Sequence, residues 1–354
     1  MPTIWWPTAE RALAPSPPPT AETLAQLGEW ELIRRMGAYA APCSFNDDAA
    51  LLLPPAGQAL VVNTDVLVEG IHFSDATTAP GDVGWRAAAA NFSDLAAMGC
   101  RSCLGLTVGL TAPGSTNWSW VEGVYGGIAE ALTTHGGELL GGDCSSGQQR
   151  QLAITALGAV DPGQPIRRSD GRPGDWLVAS GSHGLSRLGL ALLLGELGEN
   201  ARSQIPAELQ ARAVEAHQRP RPRFDVVEAL HRCQPCGAPW RVGGTDSSDG
   251  LVAAAAAIAR ASGCKATLHR RALPLVPAMA ALPQAEAWCL AGGEDFELVL
   301  ALEPAWAETL CLMMPGCQVV GALAEPKQAG ADAVVWQDSG EAITAALSGY
   351  CHFS

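Results

Sequence analysis

Residues 59–72 read ALVVNTDVLVEGIH. Leu60, Val61 and Val62 form an apolar run, Asn63, Thr64 and Asp65 set three oxygen-bearing side chains in its middle, and Val66, Leu67 and Val68 resume it before Glu69, Gly70 and His72 close the stretch. The pattern predicts a strand that delivers a carboxylate from its own interior. A carboxylate so placed must be paired or bound to a metal once buried. Acidic clusters recur along the chain as NDD (46–48), SD (Ser93, Asp94), GGD (141–143) and DSSDG (246–250). We expect these to converge with Asp65 on one site for several hard divalent cations and a polyphosphate.

Working outward, Phe45 to Leu53 reads as a strand, and with the turn residues Pro54, Pro55 and Gly57 it predicts a hairpin-like pair with 59–68. A helix is expected over Ala21 to Met36, another over Pro80 to Met98 stopped by Gly99, and a third over Trp118 to Thr134 stopped by Gly136 and Gly137. Strands are expected at Leu104 to Leu110, at Glu138 to Leu140 leading into a Gly-rich turn, and at Gln151 to Val160. In the second half, strands are expected at Trp176 to Ala179 and Cys264 to Leu268, helices at Gly184 to Leu194, Phe224 to Cys233 and Leu251 to Ala261, and a strong strand after the acidic turn GGEDFE. Helices and strands alternate in both halves, which predicts two α+β units. We expect a Pro-rich, poorly ordered extension over 1–20, an N-terminal domain over 21–160 and a C-terminal domain over 161–354.

Composition narrows the function. The 36 acidic residues outnumber 22 Lys plus Arg in 354 residues, for a formal net charge of -14. That balance argues against nucleic acid or an anionic membrane as partner, since both need a basic face. No apolar run approaches the ~18 residues of a transmembrane helix, and the first residues lack the basic start and apolar stretch of a secretory signal. The 11 cysteines are scattered and read as free thiols of a cytoplasmic protein, the Cys233, Cys236 pair included.

Asp48, Asp65, Asp94, Asp143, Asp246 and Asp249 all sit beside apolar or Gly-rich segments. Each alone would suit a turn or a cap. Six in such contexts suit Mg²⁺, which takes oxygen ligands and is held by one or two carboxylates plus water and phosphate oxygens. Asp249 and Gly250 precede a helix whose N-terminal amides can meet an anion. There is no P-loop and no kinase-type Gly-rich loop, so metal ions must neutralise most of the phosphate charge. Arg167, Arg168 and the segment Arg219 to Arg223 are the basic candidates for phosphate contact.

Taken together, NDDAALLLP, VVNTDVLVEGIHF, NFSDLAAMG, GGDCSSG, RRSDGRPGDW, DSSDGL and AGGEDFELV resemble the motifs of the thiamine-monophosphate kinase family, in that family's order. The family belongs to the superfamily of aminoimidazole ribonucleotide synthetase, selenophosphate synthetase and the hydrogenase maturation factor HypE. The resemblance implies a two-domain PurM-like α+β fold, homodimerisation through the N-terminal sheet, and ATP- and Mg²⁺-dependent phosphorylation of thiamine monophosphate to thiamine diphosphate. It implies metal ligands at Asp48, Thr64, Asp65, Asp94, Asp143, Asp246 and Asp249. It implies ATP contacts at Asp48, Tyr125, Gly142, Asp143, Arg168 and Ser248, and substrate contacts at His72, Glu294 and Tyr350. Glu294 and Tyr350 are expected to stabilise the cationic thiazolium ring. The chain departs from the family pattern at Asn46, where Gly is usual, and at Asn63, where Ser or Thr is frequent. It lacks the terminal Cys of the HypE type, and it has no Lys before Lys265 to serve as in selenophosphate synthetase.

Overall fold

The computed structural model describes residues 22–40, 45, 48–325 and 333–343. Two mixed sheets, each covered by helices, carry the fold, and the class is α+β as expected. Strand β1 (Ala59–Val68) forms one edge of a four-stranded sheet that also contains β2 (Cys103–Ala112), β3 (Glu138–Ser146) and β4 (Gln151–Val160), in the order β1-β4-β2-β3. β1 and β4 are antiparallel, with Asp65 opposite Ile154, while β2 and β3 run parallel. Helices α1 (Leu24–Leu27) and α2 (Glu29–Met36) precede β1, and the break between them falls at Gly28, whose φ of 74° suits glycine.

Period-two alternation sets what each face of β1 does. Val61, Asn63, Asp65 and Leu67 share the face toward the helices, and Leu67 is buried there. Leu60, Val62, Thr64 and Val66 lie on the opposite, exposed face. Helix α3 (Pro80–Ala97) packs against β1 and β4, and helix α4 (Trp118–His135) packs against α3. Fourteen of the 18 residues of α3 are buried, which makes it a helix with almost no solvent face. Small residues let the two helices touch: a methyl group on Gly84 would fall on the Val124 carbonyl, and one on Gly127 on the Gly81 carbonyl.

The second sheet holds β5 (Trp176–Ala179), β6 (Gly243–Asp246), β7 (Lys265–Leu268), β8 (Leu298–Leu302), β9 (Gln318–Ala324) and β10 (Val334–Trp336), in the order β10-β7-β9-β5-β8-β6. Its helices are α5 (Leu185–Leu193), α6 (Glu199–Gln204), α7 (Ala207–Gln218), α8 (Phe224–Arg232), α9 (Leu251–Ala261), α10 (Ala285–Ala291) and α11 (Pro304–Met313). β6 is a sheet edge, and it also meets α3 from the first half. One hydrophobic core spans both halves, joining Val83, Phe92 and Leu95 of α3 to Phe224, Val227 and Leu300.

Two sequence expectations are corrected. Among the described residues, 48–58 contain no strand, and β1 pairs with β4 instead of forming a hairpin. Leu51 and Leu53 are almost fully exposed, so their apolar run has no layer to cover it. The Gly-rich GGD is not a turn, because β3 runs through it to Ser146. There a register shift opposite Leu106 and Thr107 brings Gly142 against the Val108 carbonyl. The α3–α4 contact supplies a stability test. Gly127→Ala should cost about 1–3 kcal/mol, as overpacking does, whereas Gly126→Ala, with nothing within 4 Å, should be near neutral in chemical denaturation.

Candidate active site

Four polar side chains leave the buried helix α3, and they assemble a site with β1 and β6. Asn91 donates its amide to the Ala87 carbonyl (2.9 Å), while its Oδ1 accepts from Asn63 Nδ2 (3.1 Å) and from the Asp65 N–H (3.2 Å). Asn63 Nδ2 also donates to Asp94 Oδ2 at 3.0 Å. Ser93 Oγ donates to Asp246 Oδ2 at 2.8 Å and so reaches across to the second sheet. Arg86, the fourth, points to the turn that carries Glu294 and is taken up below. Arg168 donates its Nε to Thr245 Oγ1 (3.1 Å), and its charge acts on both Asp94 and Asp246.

Asp65, Asp94 and Asp246 thus come from three elements into one electrostatic cluster. Burial, with the Asp94 charge added, pushes the Asp65 carboxyl up to about 6. Burial pushes Asp246 up to about 7, with Asp94 and Asp65 adding to it, against the lowering hydrogen bond from Ser93. Burial raises Asp94 as well, although Asn63 and Arg168 oppose the shift. Carboxylates held above their ordinary range in this way are under-compensated, because the charge of Arg168 lowers Asp94 and Asp246 without offsetting burial. Asn63 Oδ1 is a further buried oxygen without a hydrogen-bond partner.

Asp48, Tyr125, Gly142 and Asp143 meet in a different place. They line a cavity of about 550 Å³ between β3, α4 and the segment around Phe45 to Leu52. Its other walls include Ile33, Met36, Phe45, Leu140 and Leu157, so apolar side chains line it together with the two carboxylates. Tyr125 is buried, and burial holds its phenol well above the usual range, so it stays protonated. A pocket of this kind suits a flat apolar ligand with a charged tail.

The GGEDFE turn anchors a third group. Glu294 and Phe296 have φ of 57° and 51°, uncommon for residues other than glycine. Each acid of the turn has a distinct partner. Asp295 accepts from the Gly184 (2.7 Å) and Ser186 (3.0 Å) amides at the start of α5. Glu297 is bound by Arg223 and Ser180. Glu294 forms an ion pair with Arg86, and its other oxygen lies 3.8 Å from His217 Nδ1. Burial opposes its charge, but Arg86, then His217 and His72, hold Glu294 below the usual carboxylate range. His72 Nδ1 accepts the Val68 amide (3.0 Å), which fixes the ring beside this group. Glu294 therefore already has a cation. It is not the unanswered carboxylate that a thiazolium counter-ion would require.

The sequence-predicted residues divide accordingly. Asp65, Asp94, Asp246 and Arg168 come together, as do Asp48, Tyr125, Gly142 and Asp143, and as do His72 and Glu294. Ser248 and Asp249 are exposed on the loop before α9, and the Ser248 carbonyl accepts the Glu294 amide at 2.6 Å, so that loop adjoins the GGEDFE turn. Thr64 is not brought in through its side chain: its hydroxyl pairs with Thr155 Oγ1 (2.8 Å) on the opposite face of β1, one residue out of phase with Asp65. Tyr350 and Asn46 lie outside the described residues. Arg219 and Arg223 are not phosphate ligands in waiting, since Arg219 pairs with Asp82 and Glu130, and Arg223 with Asp225 and Glu297. Arg86 is not singled out from sequence, and Asn91 reads there only as a polar group interrupting the helix, with no site role. Their signal was present in WRAAAAN, where a charge and an amide interrupt an alanine run that has to be buried.

The chain matches the AIR synthase related protein N-terminal domain family over residues 46–160 and the corresponding C-terminal domain family over 172–331. It is 45% identical, over 93% of its length and 96% of the relative's, to the thiamine-monophosphate kinase of Prochlorococcus marinus. The chain belongs to the thiamine-monophosphate kinase family. The Synechococcus elongatus member is 49% identical over 86% of this chain and 90% of its own. Among solved structures, AaThiL complexed with AMPPCP and TMP superposes with a TM-score of 0.68 at 27% identity, covering 90% of this chain and 96% of that one.

The Asp65, Asp94 and Asp246 cluster has the donor chemistry that a hard divalent cation takes. The donor set is all oxygen, and its raised carboxyls would each be relieved by positive charge. Among the described residues, no three His, Cys, Asp or Glu side chains form a complete ion cage. The raised carboxyls also fix a pH dependence. Unfolded Asp ionises near ~4. Between that pH and the folded values of about 6 and about 7, the folded metal-free protein keeps protons that the unfolded chain has lost. The contribution of these two carboxyls to stability therefore falls as pH rises through that window and levels off above it, while His183 and His217, pushed down to about 4 by burial, contribute in the opposite sense. In calorimetry of EDTA-treated protein, Asp246→Asn should melt with wild type near the bottom of the window and above it at the top. A difference that does not change with pH would contradict this.

Proposed function

We propose that the chain transfers the γ-phosphoryl group of ATP to the phosphate of thiamine monophosphate, giving thiamine diphosphate by direct in-line attack. The observation that carries this reading is the near full-length match to thiamine-monophosphate kinases. The acceptor is a phosphate monoester whose oxygen is already ionised near neutral pH. No strong general base is needed, and phosphoryl transfer rests on positioning and charge neutralisation.

In this reading the nucleotide base enters the cavity beside Tyr125 and Gly142, with its phosphates directed to Asp48 and Asp143. Arg168 and Ser248 complete the ATP contacts. Asp48, Asp65, Asp94, Asp143, Asp246 and Asp249 hold Mg²⁺, with Thr64 able to contribute only through its backbone. Mg²⁺ held by these residues would screen the charge of the phosphates. His72, Glu294 and Tyr350 hold the thiamine part. Because Arg86 neutralises Glu294, its second oxygen serves as a hydrogen-bond acceptor for an N–H of the substrate, such as the aminopyrimidine amine. Residues 21–160 act as the nucleotide-binding domain and 161–354 as its partner. Leu60, Val62 and Val66, exposed on the open face of the first sheet, form the contact of a homodimer. Among the described residues, no helix is long and apolar enough to cross a membrane.

A coupled ADP-release assay tests the reaction. Turnover should require both Mg²⁺ and thiamine monophosphate, and ATP hydrolysis that ignores the thiamine substrate would point to a phosphohydrolase instead. Asp65→Asn and Asp143→Asn should each lose activity by on the order of 10²-fold or more while remaining folded, since even an outer-shell partner of a metal ligand is felt on that scale. Unaltered turnover at saturating Mg²⁺ rules out the residue concerned. Light scattering at micromolar concentration should give a dimer mass for wild type and a monomer mass for Val62→Glu.

A further inference from the structure

Arg86 is a charged side chain buried in α3 to which the reading above gives no task toward substrate. It is 2% exposed, so it cannot touch a ligand that arrives from solvent. Its guanidinium pairs with Glu294, donates to the His217 carbonyl, and lies 3.4 Å from His217 Nδ1. His217 is itself buried, with Ser186 Oγ at 3.2 Å from Nδ1. Helix α3 of the first half is thereby joined to α7, to the start of α5 and to the GGEDFE turn of the second.

We propose that Arg86 is a positioning residue for the acceptor site, acting through Glu294 to aim that carboxylate at the thiamine substrate. The inference rests on the assignment of Glu294 as a substrate contact. Two observations separate it from a merely structural role. First, the backbone of the turn is pinned without Arg86: Asp295 holds the α5 amides at 2.7 and 3.0 Å, the Ser248 carbonyl accepts the Glu294 amide at 2.6 Å, and Glu297 is bound by Arg223. What Arg86 adds is the direction and charge state of one side chain. Second, the Glu294 side chain remains 34% exposed while its partner is buried, so the pair ties a solvent-reachable side chain to a fixed anchor. A guanidinium fork suits this task because it is planar and cannot lose its charge. The same helix carries Asp94 two turns further on, so the acceptor contact and the carboxylate cluster share one rigid support.

A double-mutant cycle on the full chain, read as separate Michaelis constants, tests the proposal. Arg86→Gln and Glu294→Gln should each raise KM for thiamine monophosphate about tenfold and leave KM for ATP within about twofold, the pattern of lost ground-state binding. The Arg86→Gln/Glu294→Gln double variant should exceed the larger single effect by no more than about twofold, because residues that act through one another do not add. Arg86→Lys, which keeps the charge but loses the fork, should fall between wild type and Arg86→Gln. It also supports its own cycle with Glu294→Gln should Arg86→Gln fail to fold. Additive effects near a hundredfold in the double variant, a parallel rise in KM for ATP, or a wild-type KM in Arg86→Gln would each overturn the proposal. An unchanged KM for thiamine monophosphate in Glu294→Gln would instead overturn the assignment of Glu294 itself, and the inference with it.

Discussion

The structure depends on how a helix with almost no solvent face accommodates its polar residues. Buried polar groups must find partners, and buried charges need them most. Helix α3 carries Arg86, Asn91, Ser93 and Asp94, and each is answered from another element: Glu294 and His217 for Arg86, β1 for Asn91 and Asp94, β6 for Ser93. Apolar packing alone would bring the two sheets together without specifying their register. These contacts have narrow geometry, so they specify it. The alanines and glycines that let α4 approach also make room for the polar groups at the level of the backbone.

The carboxylate cluster works against the fold. Asp65, Asp94 and Asp246 face one another under partial or full burial, and each is held above its ordinary range. A sequence selected for stability alone would place amides there. The strain is tolerated because the surrounding amides are fixed: Asn63 reaches both Asp94 and Asn91, and Asn91 is tied to the turn of α3 below it. At Asn63 the chain departs from the Ser or Thr frequent in its relatives, and the longer amide accounts for this bridge. The geometry of the cluster is thus fixed by amides of β1 and α3.

How much of this was legible in the sequence follows from the range of the forces involved. The ends of α3 were readable, because Pro80 and Gly99 act locally. The site face of β1 was readable too, since strand period depends on nothing distant. The stretch from Phe45 to Leu53 was misread because apolar composition gives no sign of whether a covering layer exists. GGD was misread as a turn because a strand can pass through glycines where a neighbouring strand crowds it, as β2 crowds Gly142. Thr64 was carried over by motif, and the alternation of β1 then turned its hydroxyl away. The pairing of Glu294 with Arg86 links positions about two hundred residues apart, and no local signal could announce it.

That last contact bears on how two anions are brought into line. The exposed Ser248, on the loop before α9, and Glu294 belong to different motifs, yet one backbone hydrogen bond of 2.6 Å joins them. Ser247 and Glu297 are joined likewise at 2.8 Å. The spacing between the loop assigned to the nucleotide and the turn assigned to the acceptor is therefore a property of main chain, with little freedom to adjust. Helix α3 grips both sides of this junction, through Ser93 to Asp246 and through Arg86 to Glu294. An in-line transfer between two phosphates needs little covalent help from protein, but a misplacement of an ångström is costly. A donor loop and an acceptor turn zipped together by backbone, and clamped by one buried helix, meet that requirement with side chains that need never touch the reacting atoms.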